Sequence, residues 1–440
     1  MGRKRKGEGT VPQSDTGVKV DAQEKTAVEI AADEYAAHCR EQFLKLMSME
    51  SPREARESLE GKGGVLPTMA ANLINCILKA ESDVHIKNTK DEKNRHNGLM
   101  KKTMKSPIGN VEVSTPRDRN GSFSPEFIKK REVFLTKQMS DKIIAMYARG
   151  MSQGDISNMF EETYGVAISK ASISEITDSV VSMMEDWQRR PLDPFYPIVY
   201  MDAEHFKVKC RNAGGDTTRA VYNVIGVDND GHKDLIGMYV DHSEGAGFWG
   251  SVMDDLRERG MKDIGVACVD GLTGFPSAIR EAFPLAIVQL CIVHQMRNSA
   301  KHVASKYRKE VMEDLKEVYH STTREMAKEK LEEARKKWGS KYPSVFDSWD
   351  NHWNELTAFY DFPPEVKHLI YTTNPIEGYH RQVRKVTKTK SIYPNDNALK
   401  KQIYLKYLLI EKKWKKETVA DWDRAKEHLQ LLFGERMKTY

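Results

Sequence analysis

Residues 198–208 read Ile-Val-Tyr-Met-Asp-Ala-Glu-His-Phe-Lys-Val, an apolar, partly β-branched run with a carboxylate at Asp202 inside it. Two more apolar runs follow, Ala220–Val227 and Leu235–Val240, and the segments between them contain Asn, Asp and Gly. Runs of this kind, separated by turn-forming residues, predict strands joined by hairpins. A charge inside such a strand is costly unless it is paired or binds a metal, so Asp202 is a candidate functional residue.

The chain continues outward from these strands in an alternating pattern. Helical spacing around Trp249 precedes a short strand at Ile264–Val269, and helical spacing around Ala278 precedes a strand at Ala286–Cys291. The order βββαβαβ predicts an α/β fold with a mixed sheet flanked by helices. Residues 191–293 are therefore predicted as the first part of this domain, residues 294–367 as a charged helical insertion, and residues 368–440 as the second part.

The N-terminal part of the chain is predicted to be mainly helical. Residues 1–25 are too polar to bury a core and predict a disordered basic tail. Residues 26–90 predict a helical domain, because their apolar residues recur at helical spacing. Residues 91–134 predict a basic linker or hairpin, with Asn97-Gly98 as its turn.

Residues 135–190 predict a helix-turn-helix. The first two helices end at Gly150 and Gly165, and the third begins near Ser169 and includes Ile173, Ile176 and Val180 on one face. Lys170 and Ser172 would then face outward as candidates for contacts with DNA. An ordinary three-helix packing unit is the alternative interpretation.

Composition favours a protein that acts where it is made, in the cytoplasm. The 440 residues carry a formal net charge of +5, and 39% of them are hydrophobic. No run of about eighteen apolar residues suggests a membrane span, and the basic N-terminus lacks the apolar stretch of a signal peptide. The five scattered cysteines do not form the pattern of a disulfide framework. The positive charge is compatible with an anionic partner.

Two further carboxylates are candidates. Asp270 follows the apolar strand that ends at Val269, where the ligand sites of open α/β sheets gather. A turn or helix cap is the common alternative for such a residue. For Glu377 the alternative is a capping box, in which Asn374 is the N-cap, Pro375 the first helical residue and Glu377 the reciprocal partner.

If the fold brings the three carboxylates together, they have a specific chemical use. They can hold two Mg²⁺ ions about 4 Å apart for attack on a phosphodiester, one ion activating the nucleophile and one stabilising the leaving oxygen. The helix that begins near Glu377 also carries the densest cluster of basic residues in the chain. This cluster suits a phosphate backbone, and it consists of Arg381, Arg384, Lys385, Lys388 and Lys390.

At these residues the sequence closely resembles the Mutator-like transposases of bacterial insertion sequences. The similar segments are 200–209, 268–276, 289–298, 371–377 and 381–390, together with Pro116-Arg-Asp-Arg119. The resemblance implies an RNase H-like catalytic domain in which Asp202, Asp270 and Glu377 form an Asp-Asp-Glu triad that binds metal. It also implies that the Cys-x-x-His signature is Cys291 and His294, for which we expect a supporting role in the active site, and Arg297 follows as a candidate DNA contact. A zinc site is the alternative, although two ligands do not complete one.

The resemblance further implies a DNA transposase that acts on terminal inverted repeats and on target DNA. We expect Mg²⁺ as cofactor with Mn²⁺ able to substitute, a homodimer or higher homo-oligomer on DNA, and action at the bacterial nucleoid. Glu204, Phe206 and Gly378-Tyr-His380 differ from the commonest family residues. The alternatives are a non-catalytic DNA-binding regulator, an RNase H-like nuclease that does not join strands, and a purely structural helical protein.

Overall fold

The computed structural model of the chain forms two compact units. One contains Met1–Lys137 with Glu162–Val166, and the other contains Gln138–Glu161 with Ala167–Tyr440. The predicted tail, residues 1–25, lies outside the described residues. Within the described part of the chain, no helix is long and apolar enough to cross a membrane. The described residues are 26–49, 51–60, 63–89, 93–129, 132–209, 216–241, 246–271 and 274–438.

The first unit contains three helices and a β-hairpin, and its small core lies between the third helix and the hairpin. Its elements are α1 (Ala27–Met47), α2 (Pro52–Glu57), α3 (Val65–Asn88), β1 (His96–Ser106) and β2 (Gly109–Asp118). Apolar residues of α3 pack against inward-facing residues of the hairpin, because side chains that alternate along a strand present every second residue to the same face. The core cluster consists of Ala71, Ile74, Leu78, Met104, Val111, Val113 and Ile128.

The predicted hairpin is present, but its predicted turn is wrong. The strands are joined at Pro107-Ile108, where Ser106 pairs with Gly109. Asn97-Gly98 instead lies inside β1, at a register shift between His96 and Leu99, and Gly98 has a φ of 78°. A glycine with positive φ serves a strand bulge as well as a turn, so the sequence signal does not separate the two.

The second unit begins with the helices of the predicted helix-turn-helix: α4 (Lys137–Ala148), α5 (Gln153–Tyr164), α6 (Lys170–Asp178) and α7 (Val180–Arg189). Ser169 is the N-cap of α6, and its side chain accepts a hydrogen bond from the backbone of Ser172. Val180, expected in the third helix, belongs to α7. The break lies at Ser179, whose hydroxyl donates to the carbonyl of Ile176 and so offers that carbonyl a partner outside the helical pattern.

A five-stranded mixed sheet is the centre of the second unit, in the order β5-β4-β3-β6-β7. The strand β3 pairs antiparallel with β4 and parallel with β6, which places it in the middle of the sheet. All predicted strands are confirmed, as are the two predicted helices between them. The bounds are β3 (Phe195–Lys209), β4 (Asp216–Val227), β5 (Lys233–Asp241), α8 (Ala246–Glu258), β6 (Asp263–Val269), α9 (Phe275–Ala282) and β7 (Ile287–Leu290).

Helices make up the remainder of the described chain, apart from a short 3₁₀ turn at Ala358–Asp361. Within the predicted insertion, Trp338 and Trp349 are buried and belong to its core. The helices are α10 (Ile292–Lys301), α11 (Ser305–His320), α12 (Arg324–Trp338), α13 (Pro343–Asn351), α14 (Trp353–Leu356), α15 (Pro364–Ile370), α16 (Asn374–Thr387), α17 (Asp396–Trp414) and α18 (Trp422–Lys438).

Residues of α4 and α6, and Gly150 after α4, contact α16 and α17 within this unit. Gly150, which follows α4 with a φ of 95°, lies so close to Val386 that an added Cβ would be 2.9 Å from the Val386 Cα. At the end of α6, Asp178 accepts a hydrogen bond from the buried ammonium of Lys401. These contacts fix the predicted helix-turn-helix relative to the helix that carries Glu377.

Candidate active site

Asp202, Asp270 and Glu377 line one cavity of about 390 Å³. Asp202 lies in β3, and Asp270 is the first residue after β6. Because Met201 and Val269 are paired in the parallel register of these strands, the two aspartates lie next to each other at the C-terminal end of β6. Glu377 reaches the same cavity from the first turn of α16. The fold therefore brings together three carboxylates that are far apart in sequence.

Each carboxylate oxygen of Asp202 lies near a nitrogen atom. Its side chain is 9% exposed, and Oδ1 accepts a hydrogen bond of 2.8 Å from the backbone N–H of Ala203. Oδ2 lies 3.5 Å from Nδ1 of His380, a buried residue of α16. The other ring nitrogen of His380 is 3.0 Å from the side-chain nitrogen of Asn223. Asp202 is thus oriented by the backbone of its own strand and by a buried side chain.

His294 lies between the other two carboxylates. Its Nδ1 is 3.7 Å from Oδ1 of Asp270, and its Nε2 is 3.8 Å from Oε1 of Glu377. Asp270 is further held by the backbone N–H of Gly271, which donates to Oδ1 at 2.6 Å. A positive charge on the imidazole would offset the repulsion between the two acids.

The side chain of Glu377 does not cap its helix. The N-cap of α16 is Thr373 rather than Asn374, and no side-chain hydrogen bond caps this end. Instead, Oε1 of Glu377 accepts a hydrogen bond of 2.7 Å from Arg297 of α10. The capping-box alternative is therefore wrong, because the carboxylate points into the cavity and away from the backbone of its own first turn.

Cys291 and His294 form a polar contact at the start of α10. Burial lowers the pKa of His294, but the hydrogen bond with Cys291 and the charge of Asp270 outweigh it and raise this pKa to about 9. Burial raises the pKa of Cys291, but the hydrogen bond and charge of His294 outweigh it and lower this pKa. The hydroxyl of Thr373 also lies 3.3 Å from the Cys291 sulfur. Cys291 is buried, and it contacts His294 without lining the carboxylate cavity itself.

The donor set fits a hard divalent cation. Asp202, Asp270 and His294 each offer a ligand atom, and these atoms all lie within 4.8 Å of one another. In the described part of the chain, this is the group of acidic, histidine and cysteine side chains that is close enough to hold a metal. Carboxylate oxygens predominate in the cavity, which suits Mg²⁺ or Mn²⁺ better than zinc. Cys291 is not a member of the group, so the zinc alternative receives no support.

Arginines supply the positive charge of the cavity. Arg297, Arg381 and Arg384 line it together with the carboxylates. The Nε of Arg384 donates to Oε1 of Glu204 at 2.5 Å. Glu204 is buried, whereas the side chain of Arg384 is 60% exposed, so a buried carboxylate holds an accessible guanidinium. The apolar side of α16 is buried as predicted, through Ile376, Tyr379, Val383 and Val386.

The remaining predicted DNA contacts lie outside this cavity. Lys385 is exposed on α16, Lys388 is exposed at the C-cap of this helix, and Lys170 is exposed at the start of α6. The hydroxyl of Ser172 is 2.9 Å from that of Ser169. Lys390 differs from the other lysines, because its ammonium donates to Gln402 at 2.7 Å and lies 4.1 Å from the ring centre of Tyr147. This inward placement does not favour its predicted contact with DNA.

Three residues near the carboxylates were not assigned a role from the sequence. They are Asn223, Glu204 and His380, all of them buried polar residues. Asn223 lies inside an apolar strand, which is the same signal that identified Asp202. Glu204 follows Asp202 by two residues, so both side chains point to the same face of the sheet. Burial of a polar side chain in an apolar element was therefore an available signal for two of the three.

Comparison with known proteins gives concordant matches. The family described as "Transposase, Mutator family" matches residues 41–417. A probable transposase of an ISRM3-like insertion sequence element from Sinorhizobium fredii is 39% identical over 86% of this chain and 94% of its own length. The transposase of insertion sequence element ISRM3 from Rhizobium meliloti has the same identity and coverage. A Drosophila P element transposase strand transfer complex covers 68% of this chain at 11% identity and a TM-score of 0.29, too distant a likeness to inform the fold.

Proposed function

Because the chain belongs to the Mutator family of transposases, we propose that it binds the terminal inverted repeats of its insertion sequence and catalyses metal-dependent cleavage and joining of DNA strands. The observation that carries this proposal is the convergence of Asp202, Asp270 and Glu377 on one cavity that is also lined by arginines. Phosphodiester chemistry requires carboxylates that hold a cation and positively charged side chains that bind the phosphate.

The arrangement of the sheet supports an RNase H-like catalytic domain. Three antiparallel strands are followed by two strands that run parallel to the first, in the order β5-β4-β3-β6-β7. Asp202 lies in β3, the central strand, and Asp270 directly follows β6, the strand beside it. We assign residues 191–293 and 368–440 to this domain, 294–367 to its helical insertion, and 135–190 to a helix-turn-helix. Residues 26–90 and 91–134 would form a helical domain and a basic hairpin region.

The triad residues would hold the metal, and His294 has a nitrogen close enough to be a further ligand. A divalent ion bound there, Mg²⁺ or Mn²⁺, would supply activation of a water or 3′-hydroxyl and neutralisation of charge at the scissile phosphate. The protein orients the acids in advance, Asp202 through Ala203 and His380, and Asp270 through Gly271. Preorganised groups of this kind avoid reorganisation during the reaction.

The basic residues would bind and orient the DNA. Arg381 and Arg384 can contact phosphates next to the carboxylates, and Arg384 is held for this purpose by Glu204. Lys385 and Lys388 would extend the contact along the backbone. Lys170 and Ser172, at the start of α6, would contact bases or phosphates of the terminal repeat. Synapsis of two ends requires a homodimer or higher oligomer, and we infer that the protein acts on DNA at the bacterial nucleoid.

Conservative substitution of the acids tests this function. We expect Asp202→Asn, Asp270→Asn and Glu377→Gln each to reduce Mg²⁺-dependent cleavage of a terminal-repeat duplex by about 100-fold or more, because each removes a metal ligand. Binding of the same duplex, measured by gel shift, should be nearly unchanged. Undiminished cleavage by any one variant would remove that residue from the triad.

A further inference from the structure

We propose that His380, held in place by Asn223, is a positioning residue that fixes Asp202 relative to Glu377. This inference rests on the proposed function, in which both acids bind the same metal centre. It concerns three buried residues: Asn223 is 2% exposed, His380 is 1% exposed and Asp202 is 7% exposed when each whole residue is counted. Because the three residues come from β4, α16 and β3, their contacts join the sheet to the helix that carries the third acid.

The register of the sheet places Asn223 beside Asp202. Asp202 and Asn223 are directly opposite each other in the antiparallel pairing of β3 and β4. Directly paired residues place their side chains on the same face of a sheet, about 5 Å apart at Cβ. Asn223 therefore lies beside the acid and not across the sheet from it. A polar residue at this position would be unfavourable in an apolar strand without a partner such as His380.

The contact with Asn223 determines which ring nitrogen of His380 carries the proton. The amide nitrogen of Asn223 is a donor and lies 3.0 Å from Nε2 of His380. A nitrogen that accepts this hydrogen bond carries no proton, so the ring proton of the neutral imidazole is on Nδ1. Nδ1 is the atom that faces Oδ2 of Asp202 at 3.5 Å. With the amide reversed, the ring would donate from Nε2 to the Asn223 oxygen, and only a doubly protonated ring could then also donate from Nδ1 to the carboxylate.

His380 lies on α16, the helix that carries Glu377. It follows Glu377 by three residues, and residues at this spacing lie on neighbouring positions of one helical face. Glu377 and His380 both line the carboxylate cavity. A contact between His380 and Asp202 therefore sets the separation between the acid of the strand and the acid of the helix. Two ligands of one metal centre must be held at a defined separation, because small errors in ligand position weaken metal binding.

Among the described basic side chains, the ring of His380 is the one that lies within 4 Å of Oδ2. Among the described residues, Ala203 provides a backbone donor to Oδ1, whereas the ring of His380 faces Oδ2. The neighbouring Glu204 makes its ion pair with Arg384 instead. Without the imidazole, the Asp202 carboxylate would be held through Oδ1 alone, by the N–H of Ala203. We therefore expect an effect on metal affinity that exceeds any effect on folding.

The test is the affinity of the full-length protein for Mn²⁺, measured by electron paramagnetic resonance of the free ion. We expect His380→Leu to weaken Mn²⁺ binding about 10–100-fold, and His380→Gln, which keeps a donor, to lose less. Asn223→Ala should also weaken binding, but should add little in the His380→Leu background, since both act through one contact. Asp202→Asn provides the reference for a lost ligand.

Gln289→Leu is the matched control. Gln289 is fully buried and hydrogen-bonded, and its side chain accepts from the backbone of Phe359, but it does not line the carboxylate cavity. We expect this variant to lose thermal stability and to keep native Mn²⁺ affinity. Native affinity in His380→Leu, or equal loss of affinity in Gln289→Leu, would overturn the positioning role. Failure of the native protein itself to bind Mn²⁺ would instead overturn the proposed metal centre.

Discussion

Arg297 donates from Nη1 to Oε1 of Glu377 at a distance of 2.7 Å, and this contact joins α10 to the start of α16. The arginine side chain is 56% exposed, whereas the glutamate side chain is 21% exposed. An ion pair this accessible contributes only about 0–1 kcal/mol to stability. From its contacts with His294 and Glu377, we infer that Arg297 orients Glu377 and offsets the negative charge of the carboxylates.

Arg297→Gln should therefore slow cleavage while leaving stability nearly unchanged. We expect an activity loss of about 10–100-fold, since the carboxylate loses the donor that orients it. Single-turnover cleavage and thermal unfolding measure the two quantities. Arg280→Gln is the matched control, because Arg280 is a half-exposed arginine that pairs with Glu355 at 2.5 Å outside the carboxylate cavity. An equal loss of activity in both variants would contradict a specific role for Arg297.

Arg381→Ala with Arg384→Ala should weaken binding to all duplexes. If each arginine neutralises one phosphate, the slope of log affinity against log salt should fall by about 2. Filter binding across a salt series measures this slope. Lys309→Ala with Lys316→Ala, two exposed lysines of α11, should leave it unchanged. A native slope in the arginine variant would mean that these arginines are solvated and do not contact DNA.

Lys170→Ala should reduce the preference for the terminal repeat over unrelated DNA. Loss of one base contact corresponds to about 1–3 kcal/mol, or about 5- to 150-fold in the ratio of the two affinities. Competition binding with both duplexes gives this ratio. A uniform decrease for both duplexes would indicate a phosphate contact, and an unchanged affinity for both would remove α6 from the DNA interface.

Lys390→Met should leave the salt slope unchanged and alter the pH dependence of stability. Burial lowers the pKa of Lys390 to about 8, with a further contribution from the charge of Lys401. Between pH 8 and the ordinary pKa of lysine, about 10.4, the unfolded chain binds more protons at this residue than the folded protein does. Stability contributed by this residue therefore rises with pH in this interval.

Thermal unfolding at several pH values tests this expectation. The difference in stability between the native protein and Lys390→Met should change in favour of the native protein as the pH rises above 8. The comparison cancels groups that titrate identically in the two proteins. A difference that stays constant from pH 7 to pH 10 would show that Lys390 is not held in the contact with Gln402 and Tyr147 in solution.

The regular elements could be predicted from sequence because their patterns are local. Runs such as Ala220–Val227 are apolar and bounded by turn residues, so the strands are correct to within a few residues. The turn at Pro107-Ile108 could not be predicted as easily, because Gly98 presents a stronger turn signal than the residues that form the turn. Whether such a glycine forms a turn or a bulge depends on the pairing partner, which is not local information.

The acids of the candidate site could be proposed from the sequence and its family resemblance, but their contacts could not. Asp202 and Asp270 are marked by apolar strands, and resemblance supplied the partner Glu377. The contacts of Arg297 with Glu377 and of His380 with Asp202 join residues 80 or more positions apart. The local periodicity of a sequence does not indicate which residues so far apart along the chain come into contact. Lys390 likewise belongs to a basic run in sequence, and only the fold turns its ammonium toward Gln402.

The central claim is that the carboxylate cavity performs metal-dependent DNA cleavage and joining. The most direct measurement incubates purified protein and its Asp270→Asn variant with a labelled duplex bearing the element's terminal repeat, in Mg²⁺ or in EDTA. We predict end cleavage and joined products for the native protein in Mg²⁺, and neither product in EDTA or with the variant. Cleavage that persists in EDTA or in Asp270→Asn, or specific end binding without cleavage in Mg²⁺ or Mn²⁺, would contradict the account.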